Sequence, residues 1–165
     1  MKKLIYSLLF LFGISVISFS CLKEKNFPKE PVIKFKRYVK LNNGLDSATC
    51  TISFTDGDGD LGSEETNNDF KMVYMYKGID GLFHYYDESP STPSFDTLMN
   101  TYKVQNITPD GQYKALEGEI MAKLGSPPAG PIYVPSHTVI KFKITLRDRA
   151  GHLSNEVETD EINLQ

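Results

Sequence analysis

The sequence predicts an all-β fold, an antiparallel β-sandwich of about seven strands. Three observations predict it. Apolar and polar residues alternate with a period of two in window after window. No window of eleven or more residues carries a convincing 3.6-residue period. The alternating windows are separated by Gly, Pro, Asp and Asn, the residues of turns.

The elements follow in order. In Pro31 to Leu41, Ile33, Phe35, Val39 and Leu41 share one face and Lys34, Lys36, Tyr38 and Lys40 the other, with Arg37 as an exception. In Ala48 to Thr55, Ala48, Cys50, Ile52 and Phe54 alternate with hydroxyl residues. Phe70 to Lys77 is apolar on both faces, as a central strand would be. Gly78 to Gly81 suits a hairpin turn into a fourth strand, Leu82 to Tyr86. Gln112 to Leu124 alternates around Leu116, Ile120, Ala122 and Leu124. Part of it, Tyr113 to Leu124, also fits a helix, which Gly118 weakens. Thr138 to Leu146 alternates most cleanly, and Val157 to Leu164 supplies the last strand. Two long connections, Asp87 to Gly111 and Gly125 to Pro135, are rich in Pro, Ser and Gly. Seven strands in roughly 135 residues suggest a sandwich of the immunoglobulin or fibronectin type III kind, with a small barrel as runner-up.

The chain has 165 residues, 18 Lys and Arg against 21 Asp and Glu, and a net charge of −3. This excludes full disorder and multi-pass membrane protein. A pI near 5.6 argues against nucleic acid as a partner, because phosphate binding needs a basic surface.

Residues 1–20 read as an export signal. Lys2 and Lys3 precede an uncharged run from Leu4 to Phe19, shorter than the about 20 residues of a membrane span. The run ends Ser18-Phe19-Ser20-Cys21, which resembles a bacterial lipoprotein signal. That resemblance implies acylation of Cys21 and cleavage before it. The alternative is ordinary cleavage after Ser18-x-Ser20, leaving Cys21 a free thiol able to pair with Cys50. Residues 21–30 (CLKEKNFPKE) read as a flexible tether, and residues 31–165 as the sandwich domain. If Cys21 is acylated, Cys50 lies in a strand pattern as a buried, inert thiol.

Thr55 to Phe70 (TDGDGDLGSEETNNDF) is the one segment with evident chemistry. It holds Asp56, Asp58, Asp60, Glu64, Glu65 and Asp69 without a Lys or Arg. Hard oxygen ligands with no His or thiolate favour calcium. The start matches the D-x-D-x-D of an EF-hand loop, but Leu61 stands where that loop needs Gly and Asn67 where it needs Glu. The competing reading is an acidic hairpin turn, solvated and screened. Thr145 to Thr159 (TLRDRAGHLSNEVET) resembles the last hairpin of bacterial immunoglobulin-like and fibronectin-like domains. There an aspartate matching Asp148 joins structural calcium in some members. Asn155 is expected to satisfy backbone donors.

Together, the signal, the tether, the Phe54–Gly62 loop and the Arg147–Asn155 hairpin resemble a family of small, mostly uncharacterised bacterial cell-envelope lipoproteins. The resemblance implies an envelope β-sandwich, lipid-anchored in the outer membrane. It covers residues 78–135 poorly.

Three function classes follow. A non-catalytic binding, adhesion or scaffold module, calcium-stabilised at Asp56, Asp58, Asp60, Glu64, Asp69 and Asp148, is the leading expectation. A glycan-binding lipoprotein accessory to polysaccharide uptake is the alternative. Tyr85 and Tyr86 are its candidate ligand residues; being consecutive in a strand they face opposite ways, so one is exposed. A soluble secreted enzyme comes third: His84, His137 and His152 sit in unrelated contexts, and no nucleophile elbow, zincin helix or phosphate loop appears.

Overall fold

The computed structural model describes residues 26–41, 47–63, 69–86, 99–110, 114–125 and 137–164. The expected signal, Cys21, Glu64 and most of the long connections lie outside them.

Nine strands are present among the described residues: β1 (Val32–Leu41), β2 (Ser47–Asp56), β3 (Phe70–Lys77), β4 (Phe83–Tyr85), β5 (Met99–Tyr102), β6 (Leu116–Leu124), β7 (Val139–Leu146), β8 (Val157–Glu158) and β9 (Ile162–Asn163). They form two antiparallel sheets that pack as a sandwich. One has the order β1-β2-β6; the other is built on β3 and β7. Each edge of the second sheet is divided between two short strands. β5 and β4 lie successively along β3, and β8 and β9 lie along β7. Short edge strands leave little unpaired backbone for another chain to extend.

The alternation seen in the sequence is the alternation of burial. In β7, Ile140, Phe142, Ile144 and Leu146 are buried while their neighbours are half-exposed. In β2, Ala48, Cys50, Ile52 and Phe54 face them across the sandwich. Tyr74 and Phe142 meet edge to face at 5.8 Å, a favoured aromatic geometry. Cys50 is a free thiol with no exposure, and burial pushes its pKa up to about 12.

Three expectations need correction. First, β1 does not keep one phase. A bulge falls between Phe35 and Arg37, which pair with the consecutive residues Ile52 and Thr51. Lys36 is the extra residue, and beyond it the faces exchange. Tyr38, expected outside, stacks on Phe142 at 6.0 Å, while Val39 and Leu41, expected inside, are exposed. Second, the connection after Tyr86 contains a strand, β5, paired with the first half of β3. Third, the last strand is broken. Thr159 interrupts it, donating its N–H to Phe142 O and accepting Phe142 N–H at its hydroxyl.

The pairings also decide which ends meet. Val32 lies opposite Thr55, Asp56 opposite Leu116 and Phe70 opposite Leu146. The starts of β1, β3 and β6 therefore gather with the ends of β2 and β7. The chain enters the sandwich at this pole, and the acidic loop leaves β2 there.

Candidate metal centre

β2 ends in Asp56, and the chain turns through Gly57 to Asp60 before Leu61 plunges into the core with no exposure. Gly59 takes a positive φ of 66° with the Lys114 carbonyl packed where a side chain would be, so only glycine fits. Leu61, the residue that breaks the EF-hand pattern, has a structural task. It forms an isolated antiparallel bridge with Asp148, just past the end of β7. This bridge brings an aspartate from the second sheet to the loop that leaves the first. Arg149 N–H donates to Asp60 O at 3.2 Å, and Ala150 N–H to Asp60 Oδ2 at 3.0 Å.

The result is a four-carboxylate cluster. One oxygen each from Asp56, Asp58, Asp60 and Asp148 lies within 4.8 Å of all the others. Calcium–oxygen distances are about 2.3–2.6 Å, so oxygens on one calcium sphere can lie up to about 5 Å apart. The cluster meets that limit.

Its electrostatics are uncompensated. Asp56 has 0 % exposure, and neither carboxylate oxygen has a hydrogen-bond partner. One oxygen each of Asp58 and Asp60 is also buried without a partner. Burial, then repulsion from Asp58, Asp60 and Asp148, pushes the Asp56 pKa up to about 6; the nearby Asp60 N–H, which does not reach hydrogen-bond geometry, opposes this only in part. Burial and the charges of Asp148 and Asp58 raise Asp60 as well. The nearest guanidinium is turned away. Arg149 Nη1 donates to Gly62 O at 2.8 Å and Asn106 Oδ1 at 2.7 Å, and its Nη2 donates to Thr108 Oγ1. Among the described residues, the one ion pair reaching the four aspartates is His152 Nδ1 with Asp148 Oδ2 at 2.8 Å. His152 N–H also donates to Asp148 Oδ1 at 2.7 Å. These bonds orient Asp148 and leave lone pairs on both its oxygens.

Of the six expected ligands, four converge. Asp69 does not join them: its Oδ2 accepts Val104 N–H at 3.2 Å and its carbonyl accepts Arg147 N–H at 2.7 Å, so it pins the start of β3. Glu64 lies outside the described residues. His152 and Arg149 were not legible as supporting groups, because only the Leu61–Asp148 bridge brings them here.

The tyrosine pair divides as strand geometry requires. Tyr85 is 51 % exposed, opposite Met75 on the outer face. Tyr86 faces inward, edge-on to His137 at 5.0 Å and to Tyr74 at 6.1 Å. The two do not form one platform. Lys143 Nζ donates to Tyr85 Oη at 2.8 Å and lies over its ring, and Lys141 lies over Phe83. Lysine ammonium groups thus lie over the rings of Phe83 and Tyr85, where a sugar would stack. The histidines are dispersed: His84 pairs with exposed Asp80, His137 stacks on Tyr76 at 3.9 Å, and His152 holds Asp148.

Comparison with known proteins returned no matching family model, no matching curated protein and no matching solved structure.

Proposed function

We propose that this chain is a lipid-anchored envelope module, a non-catalytic β-sandwich whose entry pole binds one calcium ion. The observation that carries the calcium reading is Asp56. A carboxylate with no exposure and no well-formed hydrogen bond costs several kcal/mol when ionised, and three more carboxylates surround it. A hard divalent cation offsets that cost, and the all-oxygen donor set selects calcium over zinc or copper. The solvated-turn reading fits poorly, since solvent does not reach Asp56.

The bound ion would join the end of β2 to the segment after β7, and so one sheet to the other. The envelope part of the reading rests on the residues around Cys21. With the anchor before the entry pole, the β3–β4 turn at the far end, where Ile79 and Leu82 are exposed, is the part presented outward. That arrangement suits a scaffold or adhesion module. The glycan alternative has less support, because Tyr85 is engaged by Lys143 and Tyr86 faces inward.

Thermal unfolding tests the calcium reading. At a calcium concentration about 100 times Kd, binding adds about 2.7 kcal/mol, a rise of about 5–10 °C in Tm that excess chelator reverses. A Tm indifferent to both would end the reading. Intact mass of the membrane-extracted protein tests the anchor: an acylated Cys21 at the new N-terminus is expected, and an unmodified Cys21 in the soluble fraction would refute it.

A further inference from the structure

The acidic loop is also the seat of the chain's incoming segment. Gly57 lies between two candidate ligands, Asp56 and Asp58. A Cβ there would collide with the carbonyl oxygens of Phe27 and Pro28, lying 2.5 Å from the latter. These are backbone atoms that cannot swing aside. Two residues on, Glu30 lies close enough to His152 to act on its charge, and His152 is bonded to Asp148. Pro31 is buried, and Ile33 exchanges two hydrogen bonds with the Asn155 side chain. Residues 27–33 are thus laid across the acidic loop and the 148–155 turn together.

We propose that the cation, by fixing the Asp56–Asp60 loop, holds residues 27–30 across it, so that occupancy sets the direction in which the chain leaves the domain toward Cys21. This rests on the calcium reading above. Its physical basis is repulsion. Without a cation, four carboxylates within 4.8 Å of one another relax by moving apart, and Asp56 gains most by reaching water. Asp56 and Asp58 cannot separate without moving Gly57, and Gly57 is the surface on which Phe27 and Pro28 rest. With the ion bound, the seat is intact and the segment leaves at a fixed angle. With the ion gone, the seat opens and the segment lifts. Linkage is reciprocal, so whatever unseats the segment weakens calcium binding by the same factor.

Hydrogen exchange on the full chain, with millimolar calcium and with chelator, tests this. The Lys29 and Glu30 amides are expected to exchange at least about fivefold more slowly with calcium, beyond any change at central β7 amides. The Gly57→Ala variant should exchange quickly there even with calcium and bind the ion about fivefold or more weakly. If that variant does not fold, Asn155→Ala, which frees the segment from its other attachment at Ile33, should show the same pair of changes in milder form. A calcium-induced rise in Tm with no change at Lys29 and Glu30 would overturn this inference and leave the cation site standing. No rise in Tm would remove the cation site and this inference with it.

Discussion

The side-chain amide of Asn155 replaces a strand for Ile33: its Oδ1 accepts Ile33 N–H at 2.8 Å and its Nδ2 donates to Ile33 O at 2.9 Å. The two residues lie 122 positions apart: Ile33 is in β1 of the first sheet, and Asn155 lies just before β8 of the second. One side chain therefore satisfies both backbone groups of a buried residue at the edge of the first sheet and ties that edge to the last hairpin. Removing it as Asn155→Ala leaves a donor and an acceptor without partners at a buried position. The expected cost is about 1–3 kcal/mol by denaturant unfolding. Asn155→Asp sets a carboxylate oxygen against Ile33 O in place of the donor and should cost at least as much.

Asp56→Asn keeps the shape of the side chain and removes its charge. In chelator at neutral pH this variant should be more stable than the parent by about 1–2 kcal/mol, since the lost group is a buried, unpartnered carboxylate. In calcium the order should invert. A parent and variant that respond alike to calcium would place the ion elsewhere.

The chelated protein should lose stability as pH rises from about 4 through about 6. Asp56 is the reason. Its folded pKa lies near 6 and its ordinary value at 3.8, so between them the unfolded chain gives up its proton first. The stabilising contribution of the neutral form is complete below the lower value and is lost through the upper one. Asp60 is shifted in the same direction. Calcium should flatten this dependence, which unfolding at a series of pH values with and without the ion would read.

His137 works the opposite way. It is buried, stacks on Tyr76 and shares a 3.1 Å hydrogen bond with Tyr74 Oη; burial holds its pKa below 6.5. The unfolded chain therefore takes up a proton first as pH falls below 6.5, and stability falls with it. In the parent this slope opposes that of Asp56. A His137→Asn variant isolates it: the parent should lose more stability than the variant as pH falls below 6.5, and parallel profiles would contradict the assignment.

Much of the fold was legible because burial enforces period two: β7 obeys it without interruption, and β2 and β3 keep a continuous inner face although Thr51 and Met75 on their other faces are buried too. β1 was legible only to Phe35. A bulge leaves no mark on a pattern except one misplaced residue, here Arg37, after which every face is reversed. β5 was hidden because Met99–Tyr102 is short, mixed and set in a connection rich in Pro and Ser. At the candidate site, Asp56, Asp58 and Asp60 declare themselves by spacing. Asp148 does not, since its place depends on a single bridge to Leu61 made 87 residues away in the chain. Asp69 carries the same charge as its neighbours, but the local backbone turns it to Val104. Composition cannot tell a ligand from a cap.

The bulge has its own test. Deleting Lys36 removes the unpaired residue and leaves every later β1 residue opposite its present partner, so it should leave the sandwich folded at little cost in stability. Deleting Val39 shifts Lys40 and Leu41 by one place and should cost more. Equal effects would contradict the register.

The account stands or falls on the four aspartates. Calorimetric titration of the metal-free full chain with calcium, beside the Asp56→Asn and Asp148→Asn variants, tests them most directly. One calcium per chain for the parent, and none or far weaker binding for both variants, is the expected result. No heat of binding for the parent, or variants that bind as the parent does, would contradict it.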